Sequence, residues 1–288
     1  MTVQTASPLT LGCLGPSATF CEEAAQEYRR RLPGQIEIRH FNRIREVVWA
    51  VAEGKIHEGV VPLENSIEGT VNVTLDLLAN EVDLKIRAEI VLPVEHHLLG
   101  KSGDRLEGIT TVISHPQALA QCERFISRSC PVASWVSANS TAEAARTVAA
   151  APSGWAAIAS RRASEVYGLT VLAENISDVP CNQTRFVVLG RDDQPPTGRD
   201  KTSLVFALVH QPGSLVAALS VLASRGLNLT KIESRPSKRS LGEYWFFVDF
   251  EGHRRDAAAS AALKELARFT RWYKVLGSYP VAGQKNNV

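Results

Sequence analysis

The chain predicts an α/β protein in two parts, and three observations carry that prediction. Up to about residue 190 it alternates apolar strand, short polar turn and amphipathic helix. Residues 191–200, RDDQPPTGRD, hold two prolines, one glycine, five charged residues and no apolar one, the composition of a linker. Beyond them the patterns run β-α-β-β-α-β, the ferredoxin-like order. The expected division is therefore 1–190, a linker at 191–200, and 201–288.

Taken in order, LTLGCL (9–14) reads as a strand and GPSATFCEEAAQEYRRRL (15–32) as a helix. Phe20, Ala24, Tyr28 and Leu32 share one helical face, and Thr19 and Glu22 have capping-box spacing. EGVVPL (58–63) leads through ENSIEG into TVNVTLDLLAN. ITTVISH (109–115) leads into PQALAQCERFI, with Pro116 suited to a first helical position. VASWVSAN (132–139) leads into STAEAARTVAA, where Ser140 and Glu143 repeat the capping-box spacing, and GWAAIAS (154–160) leads into RRASEVYG. Five such units imply a largely parallel sheet. CNQTRFVVLG (181–190) begins polar and ends as an apolar strand. In the last part SLVFALVH is a strand. PGSLVAALSVLASRG is a helix with Leu215, Ala218, Leu219 and Leu222 on one face and Gly226 past its end. LNLTKIES and EYWFFVDF are strands around the turn RPSKRSLG, RDAAASAALKELARF is a helix, and YKVLGSY a last strand.

Composition narrows function. Lys+Arg 32 against Asp+Glu 30 in 288 residues gives a net charge of +2, without the basic excess of a nucleic-acid or membrane-surface binder. MTVQTASPLTLGCLG lacks the basic start and continuous apolar core of a signal peptide, and no run of about 18 apolar residues occurs, so a cytoplasmic protein is expected. The five cysteines (13, 21, 122, 130, 181) show neither CxxC nor Cys/His ligand spacing, which argues against a disulfide framework or zinc. His96-His97 has no metal-binding partner in spacing. There is no HExxH, GxGxxG after a strand, GxxxxGK[ST] or GxSxG. A site here is expected to work without metal or cofactor.

In open α/β sheets ligands sit outside the C-terminal strand ends, where helix N-termini offer free N–H groups and positive dipole ends. Those junctions carry Gly15-Pro16-Ser17, Glu64-Asn65-Ser66, His115-Pro116-Gln117 and Asn139-Ser140-Thr141, all small or polar. They suit a compact anion, although Ser, Thr and Asn also cap helices where no ligand exists.

Five segments together, VPLENSIEGTVNVTLDLL, HPQALAQC, NSTAEAA, IAS…YGL…NISD…NQTRF and ESRP, resemble the prephenate dehydratases of the bacterial monofunctional type with a C-terminal ACT regulatory domain. The resemblance implies two α/β lobes like a periplasmic binding protein, with a cleft between them, followed by the ACT domain. It implies conversion of prephenate to phenylpyruvate, CO2 and water, with Thr184 as hydrogen-bond donor at the leaving hydroxyl and Arg185 as carboxylate anchor. Asn65, Ser66, Gln117, Ser140, Thr141 and Phe186 fall on family positions that line the cleft. Gly213, Ser214, Leu215 and Val216, with Glu233, Ser234, Arg235 and Pro236, match the two segments that in the family bind L-phenylalanine at an ACT dimer interface. A homodimer through that domain, assembling to a tetramer in some members, is implied.

Two departures stand out. The family's glycine and hydroxyl residue at the first junction are Ala18 and Cys21 here, and a glycine needed for positive φ would leave Ala18 strained. In the effector segment Ser214 replaces alanine. Arogenate remains an alternative substrate, and a non-catalytic amino-acid sensor an alternative class.

Overall fold

The computed structural model describes residues 8–238 and 242–283. The first seven residues, on which the signal-peptide reading partly rests, and the tip of the 235–242 turn lie outside the described residues.

The chain runs β1 (Leu9–Leu14), α1 (Phe20–Arg29), β2 (Ile36–Phe41), α2 (Ile44–Ala52), β3 (Glu58–Asn65), β4 (Gly69–Thr70), α3 (Asn72–Asn80) and β5 (Lys85–Pro93). It continues through β6 (His97–Gly100), β7 (Thr111–Ser114), α4 (Pro116–Gln121), α5 (Glu123–Ser129), β8 (Ser134–Ser137), α6 (Thr141–Ala150), β9 (Trp155–Ala159), α7 (Arg161–Tyr167), β10 (Thr170–Ala173) and β11 (Gln183–Gly190). The last part is β12 (Asp200–Leu208), α8 (Ser214–Ala223), β13 (Leu229–Pro236), β14 (Tyr244–Glu251), α9 (Ala257–Leu266) and β15 (Thr270–Pro280).

The first two-thirds form two sheets. One is ordered β2-β1-β3-β11-β5 with β4 on β3, the other β10-β6-β9-β7-β8. Each defines a lobe. The chain passes from the first lobe to the second after β5 and returns before β11. The two passes touch where Val94 N donates to Asn182 O at 2.8 Å and Ile176 N to His96 O at 2.8 Å. The expected largely parallel sheet is corrected here: both sheets are mixed, because β11 returns antiparallel between β3 and β5, and β6 runs antiparallel to β9 and β10. Hydrophobic periodicity identifies a strand but is blind to its direction.

Both capping predictions hold. Thr19 caps α1 by accepting from Glu22 N, and Ser140 caps α6 by accepting from Glu143 N. The reciprocal carboxylates reach one residue farther back than in the standard box, to Ala18 N and Asn139 N. Ala18 adopts φ 68°, so the departure from glycine does place a Cβ in the left-handed region. Its methyl is 1% exposed, within a core that also contains Leu99, Ile113, Ala142 and Ala159 of the second lobe. Burial of that methyl offsets part of a backbone cost of about 1–2 kcal/mol. Cys21 is enclosed too: its Sγ donates to Val60 O at 3.3 Å and accepts from Leu14 N at 3.4 Å.

The ACT sheet is ordered β13-β14-β12-β15, all antiparallel. Both of its faces are covered. Leu204, Phe206, Val248 and Phe250 pack on α8 and α9. The alternate residues Val205, Ala207, Trp245, Phe247, Leu276 and Tyr279 share a core with Val47, Leu75, Leu78 and Ile86 of the first lobe. At the closest approach a Cβ on Gly277 of β15 would lie 2.2 Å from Ile86 O of β5, so only glycine lets the two backbones meet.

Candidate active site

Strand β11 puts Thr184 beside Asn65 of β3 on one side and Leu92 of β5 on the other. Asn65 ends its strand in a turn that fixes its amide. Its Oδ1 accepts from Ile67 N at 2.9 Å and Glu68 N at 3.0 Å. Its Nδ2 therefore faces the opposite way and donates to Thr184 Oγ1 at 2.8 Å and Asn182 Oδ1 at 2.8 Å. Thr184 is 9% exposed, and no acceptor for its own hydroxyl proton is found among the described residues. Its lone pair is engaged and its O–H is available, the arrangement of a hydrogen-bond donor. Ser66 joins the same group: its Oγ accepts from Gln183 N at 2.9 Å and donates to Asn182 Oδ1 at 3.4 Å.

Arg185 points the other way, as strand alternation requires. Its Nη1 meets Asp249 of β14 at 2.6 Å, its Nη2 donates to Tyr279 OH of β15 at 2.6 Å, and its Nε lies 2.8 Å from Glu89 of β5. Lys201 of β12 also grips Glu89, at 2.9 Å. Two cations and two carboxylates thus neutralise each other in a site where the Arg185 side chain is only 11% exposed. Burial alone would disfavour the charge, but Tyr279, Asp249 and Glu89 more than compensate and hold the guanidinium protonated. Tyr279, wholly buried, is pushed well above the usual phenol range by desolvation, so its OH accepts from Arg185 and can donate to Ser203, whose Oγ donates to Asp249. The residue expected as a carboxylate anchor is therefore placed as a strut between β11 and the sheet of the last part.

The other predicted residues divide. Phe186 is 3% exposed and packs with Leu11, Cys13, Val60 and Ile90 in the first lobe's core, which corrects its assignment to the cleft wall; a register shift follows Arg185. Gln117 is exposed at the start of α4, its backbone N–H on His115 Nδ1. Ser140 and Thr141 open α6 in the second lobe, and among the described residues no hydrogen bond joins them to the Thr184 group.

Pattern reading missed the residues that join the lobes. Gln121, one turn beyond Gln117 on the same face of α4, donates to Glu68 Oε1 at 3.0 Å and accepts from Asn182 Nδ2 at 3.1 Å. His96 Nε2 lies 3.2 Å from the same Gln121 Oε1. Burial lowers the His96 pKa from 6.5 to about 4, so the ring is neutral near pH 7, and its edge-on packing with Phe20 supplies the apolar surroundings. HPQALAQC already contained Gln121. The missing signal was its helical spacing from Gln117. Tyr167 OH of α7 adds a second tie between the lobes, to Ser17 O at 2.9 Å.

The two effector segments do not meet within one chain. Gly213, at φ 82°, opens α8, while Ser214 and Leu215 line a cavity of about 260 Å³ with Val209, Tyr244, Trp245 and Trp272. Val216 is 68% exposed. On edge strand β13, Glu233 accepts from Thr70 and Arg235 pairs with Asp76 at 3.2 Å, both toward the first lobe, whereas Ser234 and Pro236 are exposed. Among the described residues no group of three His, Cys, Asp or Glu is placed to hold a metal, and no helix is long and apolar enough to cross a membrane.

The prephenate dehydratase family model matches residues 11–194 and the ACT domain model residues 202–268. A bifunctional chorismate mutase/prephenate dehydratase of Aquifex aeolicus is 45% identical over 93% of this chain and 73% of its own length. A prephenate dehydratase of Methanocaldococcus jannaschii is 40% identical over 92% and 96%. The solved prephenate dehydratase of Arthrobacter aurescens, in complex with L-Phe, superposes with TM-score 0.85 at 36% identity, covering 95% of this chain and 90% of that one. GqqA, described as a novel type of quorum quenching acylase, superposes with TM-score 0.84 at 32% identity over 95% and 98%.

Proposed function

The chain belongs to the prephenate dehydratase family, and from that premise we propose that Thr184 is the group that promotes loss of the ring hydroxyl. The reaction is the decarboxylating dehydration of prephenate to phenylpyruvate: the ring carboxylate leaves as CO2, its bonding electrons aromatise the ring, and the 4-hydroxyl takes up one proton from solvent and departs as water. One observation carries the assignment of Thr184. Asn65 Nδ2 occupies an Oγ1 lone pair, so the hydroxyl proton is directed to the departing oxygen rather than to a neighbour. A threonine hydroxyl is a poor proton source in water. Its contribution is a hydrogen bond that strengthens as the C–O bond breaks, worth about 10²–10³ in rate.

With Arg185 engaged in the ACT contact, the substrate carboxylates fall to neutral donors. The N–H groups that open α6, at Ser140-Thr141, and the exposed side-chain amide of Gln117 at the start of α4 are the groups suited to them. Such a site holds the departing carboxylate with little solvation, which favours decarboxylation. In this reading residues 1–190 are catalytic, 191–200 the connection, and 201–288 regulatory. The enzyme is cytoplasmic and inhibited by L-phenylalanine. The L-Phe complex of the Arthrobacter relative supports the effector. The exposed Ser234 and Pro236 on edge strand β13 support a homodimer in which one copy's Glu233–Pro236 segment approaches the other's Gly213–Val216; tetramers follow if such dimers pair.

The test is phenylpyruvate formation at neutral pH, where prephenate does not aromatise by itself, by wild type and Thr184→Ala, with and without phenylalanine. Turnover that falls about 10²–10³-fold in the variant and declines with phenylalanine supports both assignments. Folded wild type that fails on prephenate but converts arogenate moves the substrate. Phenylalanine binding without turnover of either favours a sensor.

A further inference from the structure

We propose that Asn182 is a positioning residue for this reaction, aligning the Thr184 hydroxyl only when the second lobe is docked. The proposal rests on the assignment of Thr184 above.

The reasoning starts from what cannot rotate. At one end backbone N–H groups of Ile67 and Glu68 hold Asn65 Oδ1, so Asn65 must present Nδ2 to Thr184 and Asn182. At the other end the Glu68 carboxylate, an acceptor only, holds Gln121 Nε2, so Gln121 must present Oε1 to Asn182. Asn182 sits between a fixed donor and a fixed acceptor, and one amide orientation satisfies both: Oδ1 toward Asn65 at 2.8 Å, Nδ2 toward Gln121 at 3.1 Å. A flipped amide sets donor against donor and acceptor against acceptor. Ser66 Oγ adds a second donor to Oδ1, and His96 must carry its proton on Nε2 to meet Gln121 Oε1.

The placement explains why this matters. Asn182 is 5% exposed and belongs to the return pass between lobes, two residues before Thr184, while Gln121 is on helix α4 of the second lobe. When the lobes part, Asn182 Nδ2 loses its partner, and the amide is held only at its Oδ1 end, by Asn65 and Ser66. A displaced Asn182 leaves Asn65 Nδ2 without one of its acceptors, and its bond to the Thr184 oxygen is then less sharply directed. Docking of the second lobe is thereby converted into the direction of one O–H bond.

Asn182→Asp is the informative change, because it is isosteric and replaces the Nδ2 donor by an acceptor facing Gln121 Oε1. Gln121 cannot repair this by rotating, since its Oε1 would then face Glu68. Only a proton on the new carboxyl restores the link. The charged or titratable groups facing it are Glu68, His96 and the adjacent Cys181; Glu68 and burial both raise the carboxyl's pKa, and neutral His96 does not oppose them.

The expected result is a kcat about 10–100-fold below wild type at pH 8, from misalignment. KM stays within about twofold, and the deficit closes toward parity at pH 5.5 after subtraction of spontaneous aromatisation. In a Thr184→Ala background the same substitution changes kcat less than about twofold, because the group it serves is gone. Gln121→Leu should lose the same factor, without recovery at pH 5.5. It provides the test if thermal unfolding shows Asn182→Asp to be unfolded. An equal deficit at both pH values, an equal loss in the Thr184→Ala background, or a loss confined to KM overturns the proposal. Failure of wild type itself on prephenate overturns the functional reading instead.

Discussion

Replacing Asp249 by asparagine separates two roles for the residue next to Thr184. In the structure Arg185 pairs with Asp249 and shares Glu89 with Lys201, at 2.6–2.9 Å, with the two acids 2% and 7% exposed. Asp249→Asn keeps the shape but leaves Arg185 with Glu89, which Lys201 also holds, and with Glu64 at 3.7 Å. Breaking a buried pair from one side costs about 3–5 kcal/mol; the retained polar contacts with Ser203 and Tyr279 place the expectation at the lower end. For a chain of this size, about 3 kcal/mol corresponds to a Tm lower by about 6–12 °C. Arg185→Met should behave alike, since it takes the ion-pair partner from Asp249 and leaves Glu89 with Lys201. The assay is thermal unfolding beside Michaelis kinetics on prephenate, with KM expected within about threefold in both variants. If Arg185 instead anchored a substrate carboxylate, its removal would forfeit a charge-assisted bond of about 1.5–3 kcal/mol, about 10–100-fold in KM. A KM rise of that size with an unchanged Tm refutes the strut.

Gly277→Ala should lower stability by more than about 2 kcal/mol in urea unfolding, because its Cβ would meet Ile86 backbone atoms at 2.2 and 2.6 Å, which no side-chain rotation relieves. His96 takes up its proton near pH 6.5 when unfolded but near 4 when folded. Its contribution to stability is thus complete above about 6.5 and is lost as pH falls toward 4. The loss is about 3 kcal/mol in all, and His96→Gln should flatten that part of the urea-midpoint profile. Among the five thiols Cys181 alone is exposed, while burial pushes Cys21 and Cys122 up to about 12 and raises Cys13 and Cys130. Iodoacetamide at pH 7.5 should modify Cys181 alone in the folded protein, and mass spectrometry after digestion would reveal any other adduct.

The elements that punctuate strongly were legible in the sequence. Thr19 and Ser140 cap helices where their spacing predicts, Pro116 opens α4, and the β-α-β-β-α-β order is complete. IEIRHF and IREVVWAVA, which form β2 and α2, carry clear alternation and helical periodicity that the five-unit reading passed over. Arg185 was misread because a motif places a residue on a strand without saying which face it joins. Its neighbour Thr184 faces Asn65 and Asn182, so alternation should have sent Arg185 to the back. The signal that something covers that back was present: SLVFALV and YWFFVDF are apolar at both odd and even positions, as expected for strands buried on two faces. What no single-chain pattern contains is the partner of such a face, here α2, α3 and β5. The polarity of the Asn65–Asn182–Gln121 group was likewise hidden, since it depends on three segments far apart in sequence.

The double crossing beneath the cleft gives the molecule an anatomy unlike its sequence divisions. Everything from β6 to β10 is one uninterrupted stretch, entered and left through two passes that touch at Val94 and Asn182. In folding terms it is an insertion, a guest whose ends already meet. The host is the first lobe fused through a common core to the domain that sequence alone would cut away at residue 191. Hydrogen exchange should therefore find two cooperative units divided at the hinge, the guest opening by itself and the regulatory sheet never opening without the strand that carries Thr184. A truncation at the linker would not release a free-standing catalytic half. It would expose Val47, Leu75, Leu78 and Ile86 to water.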